Sequence, residues 1–201
     1  EGEMVLQLAH GNDVIYSVAF TFFGSRTRSG MSVGIGCVQG PRGAEGLRRV
    51  REATRDLHGM RPKALMVRLV RQLGHEHGCS NMILVGNANR AVHHSARKGR
   101  LFADYNALWQ ELGAQLRQDG DFELPCENLP LPAMESIPSK KRSEARKRHE
   151  LTLAMIASLR SGLDAHRSPL QAATAGAVAA AGEVRQSAML GEDDDYASAI
   201  A

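Results

Sequence analysis

Two apolar runs bracket the centre of this chain, M-S-V-G-I-G-C-V at 31–38 and M-I-L-V at 82–85. Both read as strands by length and β-branching. Between them lie a glycine-rich turn, Q-G-P-R-G-A-E-G at 39–46, and helix-patterned sequence. Strand, glycine turn, helix and strand is the order that builds an anion-attracting helix N-terminus in an α/β protein. The first helix is expected over about 45–57, with Leu47, Val50, Thr54 and Leu57 at helical spacing and Gly59 as its stop. The second is expected over 62–73. Pro62 suits a first turn, Leu65, Leu69 and Leu73 form one stripe, and Met66 and Val70 widen it. Gly74 and Gly78 are expected to end it.

Upstream, residues 4–8 alternate apolar and polar, His10-Gly11-Asn12-Asp13 offers turn chemistry, and 14–23 is apolar and aromatic. That predicts a hairpin, with the 31–38 strand added antiparallel after a polar loop at 24–30. Downstream, 87–99 reads as a polar loop and 101–112 as a helix with Tyr105, Leu108, Trp109 and Leu112 on one side. A strand and turn are expected within 113–121. The stretch 124–138 holds four of the seven prolines and reads as irregular. Ser139 then caps a helix to about 163. The expected fold is α/β (α+β), a mixed, mostly antiparallel sheet flanked by helices. The domain should cover 1–167. Residues 168–201 form an Ala/Gly-rich tail with an acidic run at Glu192–Asp195, expected to be partly disordered.

Charge is blocked along the chain rather than large in sum. Residues 40–100 carry 13 Lys and Arg against 4 Asp and Glu, 101–135 carry 1 against 7, and 136–167 carry 8 against 3. The plain reading is mutual neutralisation in the fold; the functional one is a site for an anionic ligand. Three cysteines without CxxC or Cys/His spacing argue against a disulfide framework or structural zinc. His75 and His77 lack the i, i+4 spacing of a helical zinc motif, and His93-His94 is no stronger, so no metal is expected. No apolar run reaches membrane-spanning length. A cytoplasmic protein, peripheral to the inner membrane, is the expectation.

Specific motifs stand at Q-G (39–40), T-R-D-L-H-G-M-R-P-K (54–63), D-Y-N-A-L-W (104–109), E-L-G (111–113), F-E-L-P (122–125) and S-K-K-R-S-E-A-R-K-R (139–148). In this order they resemble the VirK/YbjX family over roughly 1–165. The resemblance implies a bacterial protein associated with virulence, envelope change and tolerance of antimicrobial peptides. It brings no agreed reaction and no established catalytic residue. It also implies a longer N-terminus, so the chain, which begins at Glu1, is expected to lack a natural N-terminal part. In layout the chain is similar to GNAT acyltransferases, which hold acyl-coenzyme A at a helix N-terminus. The GNAT phosphate fingerprint matches neither 39–44 nor 58–63. An acyl or aminoacyl carrier therefore stays open beside acyl-coenzyme A.

From the residues, the candidate anion cradle comprises Gln39, Gly40, Gly43, Gly59, Arg61, Lys63 and Asn87. Glycine lets backbone approach oxygen atoms closely. Arg61 and Lys63 open a helix, where cations oppose the dipole unless an anion joins them. His58, by residue type suited to moving protons near neutral pH, and Tyr105 are the candidate proton carriers. Lys140, Lys141, Arg142, Arg146 and Arg148 form a second anionic-ligand patch, suited to a membrane surface. The apolar side of that helix is expected at Leu151, Leu153, Ile156 and Leu159. The leading expectation is an acyl-transfer enzyme with a phosphate-bearing donor. The alternatives are a non-catalytic envelope factor binding anionic lipid or a partner protein, and, more weakly, RNA or aminoacyl-tRNA binding.

Overall fold

A computed structural model describes residues 3–24, 30–91, 103–130 and 133–163. The chain divides into two units, Glu1–Ile156 and Ala157–Ala201. Of the second, only 157–163 is described, as helix. Most of the expected loop at 24–30, residues 92–99 of the expected polar stretch at 87–99, and the tail from 168 lie outside the described residues.

The first unit carries a six-stranded sheet in the order β1-β2-β3-β4-β6-β5. Strands β1 (Met4–His10) and β2 (Asp13–Gly24) pair antiparallel about Gly11-Asn12, and β2 pairs antiparallel with β3 (Met31–Gln39). Gly11 has φ 62°, a left-handed conformation that glycine adopts without strain. Strand β4 (Cys79–Leu84) runs parallel to β3. A parallel pair needs a crossover, and two helices supply it: α1 (Gly43–Asp56) and α2 (Pro62–Glu76). After β4 come a short 3-10 turn (Asn87–Asn89), α3 (Tyr105–Glu111), β5 (Gln115–Leu116) and β6 (Phe122–Pro125). Strand β6 pairs antiparallel with β4 and with β5. A final helix, α4, covers 139–163. The mixed, mostly antiparallel sheet is the one the sequence predicts.

Helix α2 is the main cover of the sheet, packing on β2, β3 and β4. Its Leu65, Met66, Leu69, Val70 and Leu73 are buried. Each such side chain contributes about 1.5–3 kcal/mol by leaving water. Gly74 does not stop this helix. It lies buried inside it, where a Cβ would come within 2.7 Å of Val33 Cγ1 and 3.0 Å of Cys126 Sγ. The glycine sets how closely helix and sheet approach, and the stop is Gly78 at φ 74°. In α1 the inward face is Gly46, Val50, Ala53 and Leu57, and Leu47 is 58% exposed rather than part of it. On α4, Thr152 and Ile156 face inward and Leu153 is exposed.

Two further elements depart from expectation. Strand β6 falls partly in the stretch read as irregular, because four residues ending in proline show too little alternation to declare a strand. Phe122 and Leu124 are nonetheless buried, with Glu123 between them less so. Helix α3 starts at Tyr105, because Asp104 caps it by accepting from Ala107 N at 3.1 Å.

The parallel pairing of β3 with β4 ends where Val85 N donates to Ile35 O at 3.1 Å. Beyond that point the β3 backbone at Val38 would face no strand. The buried Tyr105 hydroxyl takes the place, accepting from Val38 N and donating to Val38 O, both at 2.7 Å. One turn on, Trp109 donates Nε1–H to Val85 O at 2.8 Å. The two rings meet edge to face at 5.5 Å. Tyr105→Phe keeps the ring and leaves two buried backbone groups unpaired. A loss of about 1–3 kcal/mol is expected, read from the urea midpoint.

Candidate anion-binding groove

The corner between α1 and α2 is built from two consecutive left-handed residues, His58 at φ 54° and Gly59 at φ 82°. They close the end of α1: Gly59 N donates to Thr54 O at 2.7 Å and Met60 N to Leu57 O at 3.1 Å. Glycine takes this conformation freely, and histidine does so at a cost of about 1–2 kcal/mol. The corner is held from α4, where Arg148 donates Nε–H to His58 O and Nη2–H to Glu144 Oε1. Arg61 is the N-cap of α2, with no side-chain capping bond. Its guanidinium pairs instead with Glu111 at the end of α3.

From this corner a groove of about 630 Å³ runs along α2. Arg61, Ala64, Arg68 and Arg71 line one wall, three or four residues apart and so on one helix face. Ala145, Arg148, His149 and Thr152 form the wall from α4, within two turns of one face. Met60, Ala64, Leu112, Leu129, Pro130 and Ala145 supply accessible apolar surface over buried Leu65, Val67 and Leu124. Arg71 donates to Pro125 O at 2.7 Å and pairs with Glu127 at 3.1 Å. Thr152 donates to Arg148 O at 2.7 Å and lies 3.7 Å from Met60 Sδ.

Of the residues singled out from sequence, Gly59, Arg61 and Arg148 line this groove. Gln39, Gly40 and Gly43 belong to the other end of α1. That helix has 14 residues, so Gly43 and the His58 corner are about 20 Å apart. The expected single cradle is therefore two separate places. At the first, the Tyr16 ring lies over Gly40, where a Cβ would be 2.4 Å from Tyr16 Cε1. The first turn of α1 also carries its own anion. Hydrogen bonds from Arg48, then Arg49, hold the Glu45 carboxyl at about 2, well below the usual range.

Lys63 faces a different set of groups. It is half-buried among Glu111, Asp104 and Arg90, and desolvation lowers its pKa. Asn87 positions α3: Nδ2 donates to Asp104 Oδ1 at 2.7 Å, and Oδ1 accepts from Tyr105 N at 2.9 Å. That bond lowers the Asp104 pKa. Tyr105 sits under the Arg90 guanidinium at 3.7 Å, and burial raises its pKa. Its hydroxyl is fully engaged by Val38, so the structure gives it a backbone-pairing role where the sequence suggested a proton carrier. The His58 side chain is half-buried beside the groove, and only its backbone carbonyl makes a hydrogen bond to the α4 wall. Lys140, Lys141, Arg142 and Arg146 are exposed on α4, with Arg142 donating to Ile137 O. Arg68 and Arg71 were not legible as site residues. Their spacing on the polar side of α2 was visible, but nothing local showed that α4 would form an opposite wall.

Residues 1–161 match the family described as protein of unknown function DUF535. The chain belongs to that family. Two uncharacterized proteins of Haemophilus influenzae are similar to it. One is 33% identical over 70% of this chain and 45% of its own length. The other is 31% identical over 81% of this chain and 54% of its own length. The uncharacterized protein YbjX of Escherichia coli is 28% identical over 58% of this chain and 36% of its length. The VirK/YbjX resemblance is thus borne out. The chain spans about half the length, or less, of the curated relatives it matches. Among the described residues of this DUF535 chain, no helix is long and apolar enough to cross a membrane, and no three His, Cys, Asp or Glu side chains gather as a metal site.

Two substitutions test the corner. His58→Gly removes the left-handed cost and keeps the carbonyl that binds Arg148. Stability should rise by about 1 kcal/mol in thermal denaturation. Lys63→Met addresses a lysine whose folded pKa lies below its unfolded value of 10.5. Such a group opposes folding while charged, and stability recovers as pH climbs from the folded towards the unfolded value. The variant should therefore show the higher urea midpoint at pH 7, with the gap narrowing as pH rises towards 10.5.

Proposed function

We propose that this DUF535 chain binds a phosphate-bearing acyl compound in the groove between α2 and α4 and acts on it by acyl transfer. One observation carries the reading: four arginines edge a groove that is also lined by apolar side chains. Its volume falls in the range of small-molecule sites, roughly 300–1,000 Å³. Guanidinium groups match phosphate oxygens with paired hydrogen bonds. Apolar side chains reward an acyl chain by about 0.8 kcal/mol for each buried CH₂. Neither a free nucleotide nor a fatty acid uses both features.

Acyl transfer joins the acceptor's oxygen or nitrogen to the acyl carbon and breaks the donor's acyl–sulfur or acyl–oxygen bond, so a base must take the acceptor's proton and return it to the leaving thiolate or alkoxide. His149 lies on the groove wall, and His58 lies at its corner. The first is the better placed, since it lines the space the acyl compound would fill. The exposed Lys140, Lys141, Arg142 and Arg146 on α4 support a peripheral contact with an anionic membrane, which would bring the groove to its ligand.

A thermal-shift panel of decanoyl-coenzyme A, S-decanoyl phosphopantetheine and a short-chain phospholipid tests the reading. At a hundredfold excess over Kd a true ligand stabilises by about 2.7 kcal/mol. The shift should shrink in Arg68→Gln/Arg71→Gln, and product formation should fall in His149→Gln without loss of the shift. No shift with any compound, or an equal shift in the double variant, would remove the groove as the site.

A further inference from the structure

The groove also discriminates among phosphate-bearing acyl compounds, a narrowing that rests on the binding reading above. Its internal charge balance is the first guide. Arg61 is paired with Glu111, Arg71 with Glu127, and Arg148 with Glu144. Among the described residues, Arg68 makes no ion pair and no hydrogen bond. It projects from the middle of the α2 wall, exposed, between Arg61 and Arg71. Three cations thus come with carboxylates already in place, and one guanidinium remains. That is the equipment for a single phosphate. Coenzyme A brings three phosphate groups and would meet resident carboxylates at each of the other arginines.

The lining chemistry is the second guide, and it is independent of charge. Among the described residues no Phe, Tyr or Trp lines the groove, so an adenine base would find no aromatic platform there. A pantetheine arm would bring two amides. The polar groups along its path are engaged with each other: Thr152 with Arg148 O, Arg71 with Pro125 O, Arg148 with His58 O. The accessible apolar surface is side-chain hydrocarbon from Met60, Ala64, Leu112, Leu129, Pro130 and Ala145. Buried amides without partners are disfavoured there, and a plain alkyl chain is not.

We infer that the groove takes a phospholipid-type ligand, one phosphate set directly beside hydrocarbon, with the phosphate on Arg68 and the chain on the apolar floor. Helix α4 fits that source: it forms one wall of the groove and carries the exposed Lys140, Lys141, Arg142 and Arg146, suited to an anionic lipid surface.

The test is isothermal titration of the whole chain with decyl phosphate, S-decanoyl phosphopantetheine, decanoyl-coenzyme A and decanol. Decyl phosphate should bind at least about tenfold more tightly than either thioester. Arg68→Gln should weaken decyl phosphate about tenfold and leave decanol unchanged. Arg68 is exposed, so the variant is expected to fold, and an unchanged Tm confirms it. If decanoyl-coenzyme A or the phosphopantetheine thioester binds as tightly as decyl phosphate, the phospholipid assignment falls while the groove reading stands. Equal affinity of the Arg68→Gln variant for decyl phosphate also overturns it. Failure of all four compounds to bind would overturn the assignment and the groove reading together.

Discussion

Two parallel strands that part company leave backbone groups facing each other across a gap, and closing that gap is what the rest of this fold depends on. The β3–β4 ladder stops at Ile35 and Val85. Past it, buried N–H and C=O groups need partners, because each one left unpaired is costly. Tyr105 supplies them to β3 and Trp109 to β4, from one short helix. Asn87 then fixes that helix by bonding both its cap, Asp104, and its first backbone N–H. Asp121 and Gly86 anchor the same loop from the other side: Gly86 N donates to Asp121 Oδ1 at 2.8 Å, and a Cβ on Gly86 would strike Gly120 O at 1.9 Å. An acidic stretch of sequence thus serves as a set of hydrogen-bond acceptors rather than as a charged surface.

The same crossover that makes β3 and β4 parallel gives the groove its long wall. Helix α2 must bury one face on the sheet, and Leu65, Leu69 and Leu73 do so. Its opposite side is left for Arg61, Arg68 and Arg71. Carboxylates from three different segments, Glu111, Glu127 and Glu144, hold neighbouring arginines in place. At exposed positions such pairs contribute only about 0–1 kcal/mol each. They are better understood as orienting the guanidinium groups than as holding the fold together.

Local pattern carried the hairpin, the crossover helices, the last helix and the mixed sheet. Each has its cause within about twenty residues: a turn pair at Gly11-Asn12, a proline at the start of α2, a basic run leading into an apolar stripe in α4. What was hidden depends on distant neighbours. Gly74 looked like a helix stop because glycine usually is one; only the nearness of Val33 and Cys126 explains it inside α2. The glycines at 40 and 43 looked like a cradle, but the Tyr16 ring lies over Gly40 and Glu45 puts a carboxylate into the first turn of α1. Tyr105 looked like an acid because its partner, Val38, is 67 residues away. The His58–Arg61 corner was the part of the site that sequence did reveal, through its unusual cations and glycine, although the groove it opens needed α4 to be seen.

That dependence has a kinetic side. Arg148 meets His58 across 90 residues, and Thr152 meets Met60 across 92. Contacts so far apart in sequence close late, after the entropy of a long loop has been overcome. The sheet and its crossover can form from residues made earlier, but one wall of the groove is nearly the last part of the first unit to leave the ribosome. A nascent or truncated chain without α4 would hold its arginines on an open helix face, with no enclosure and no selectivity. The groove is therefore a late folding event in its own right, assembled only when the domain is otherwise complete.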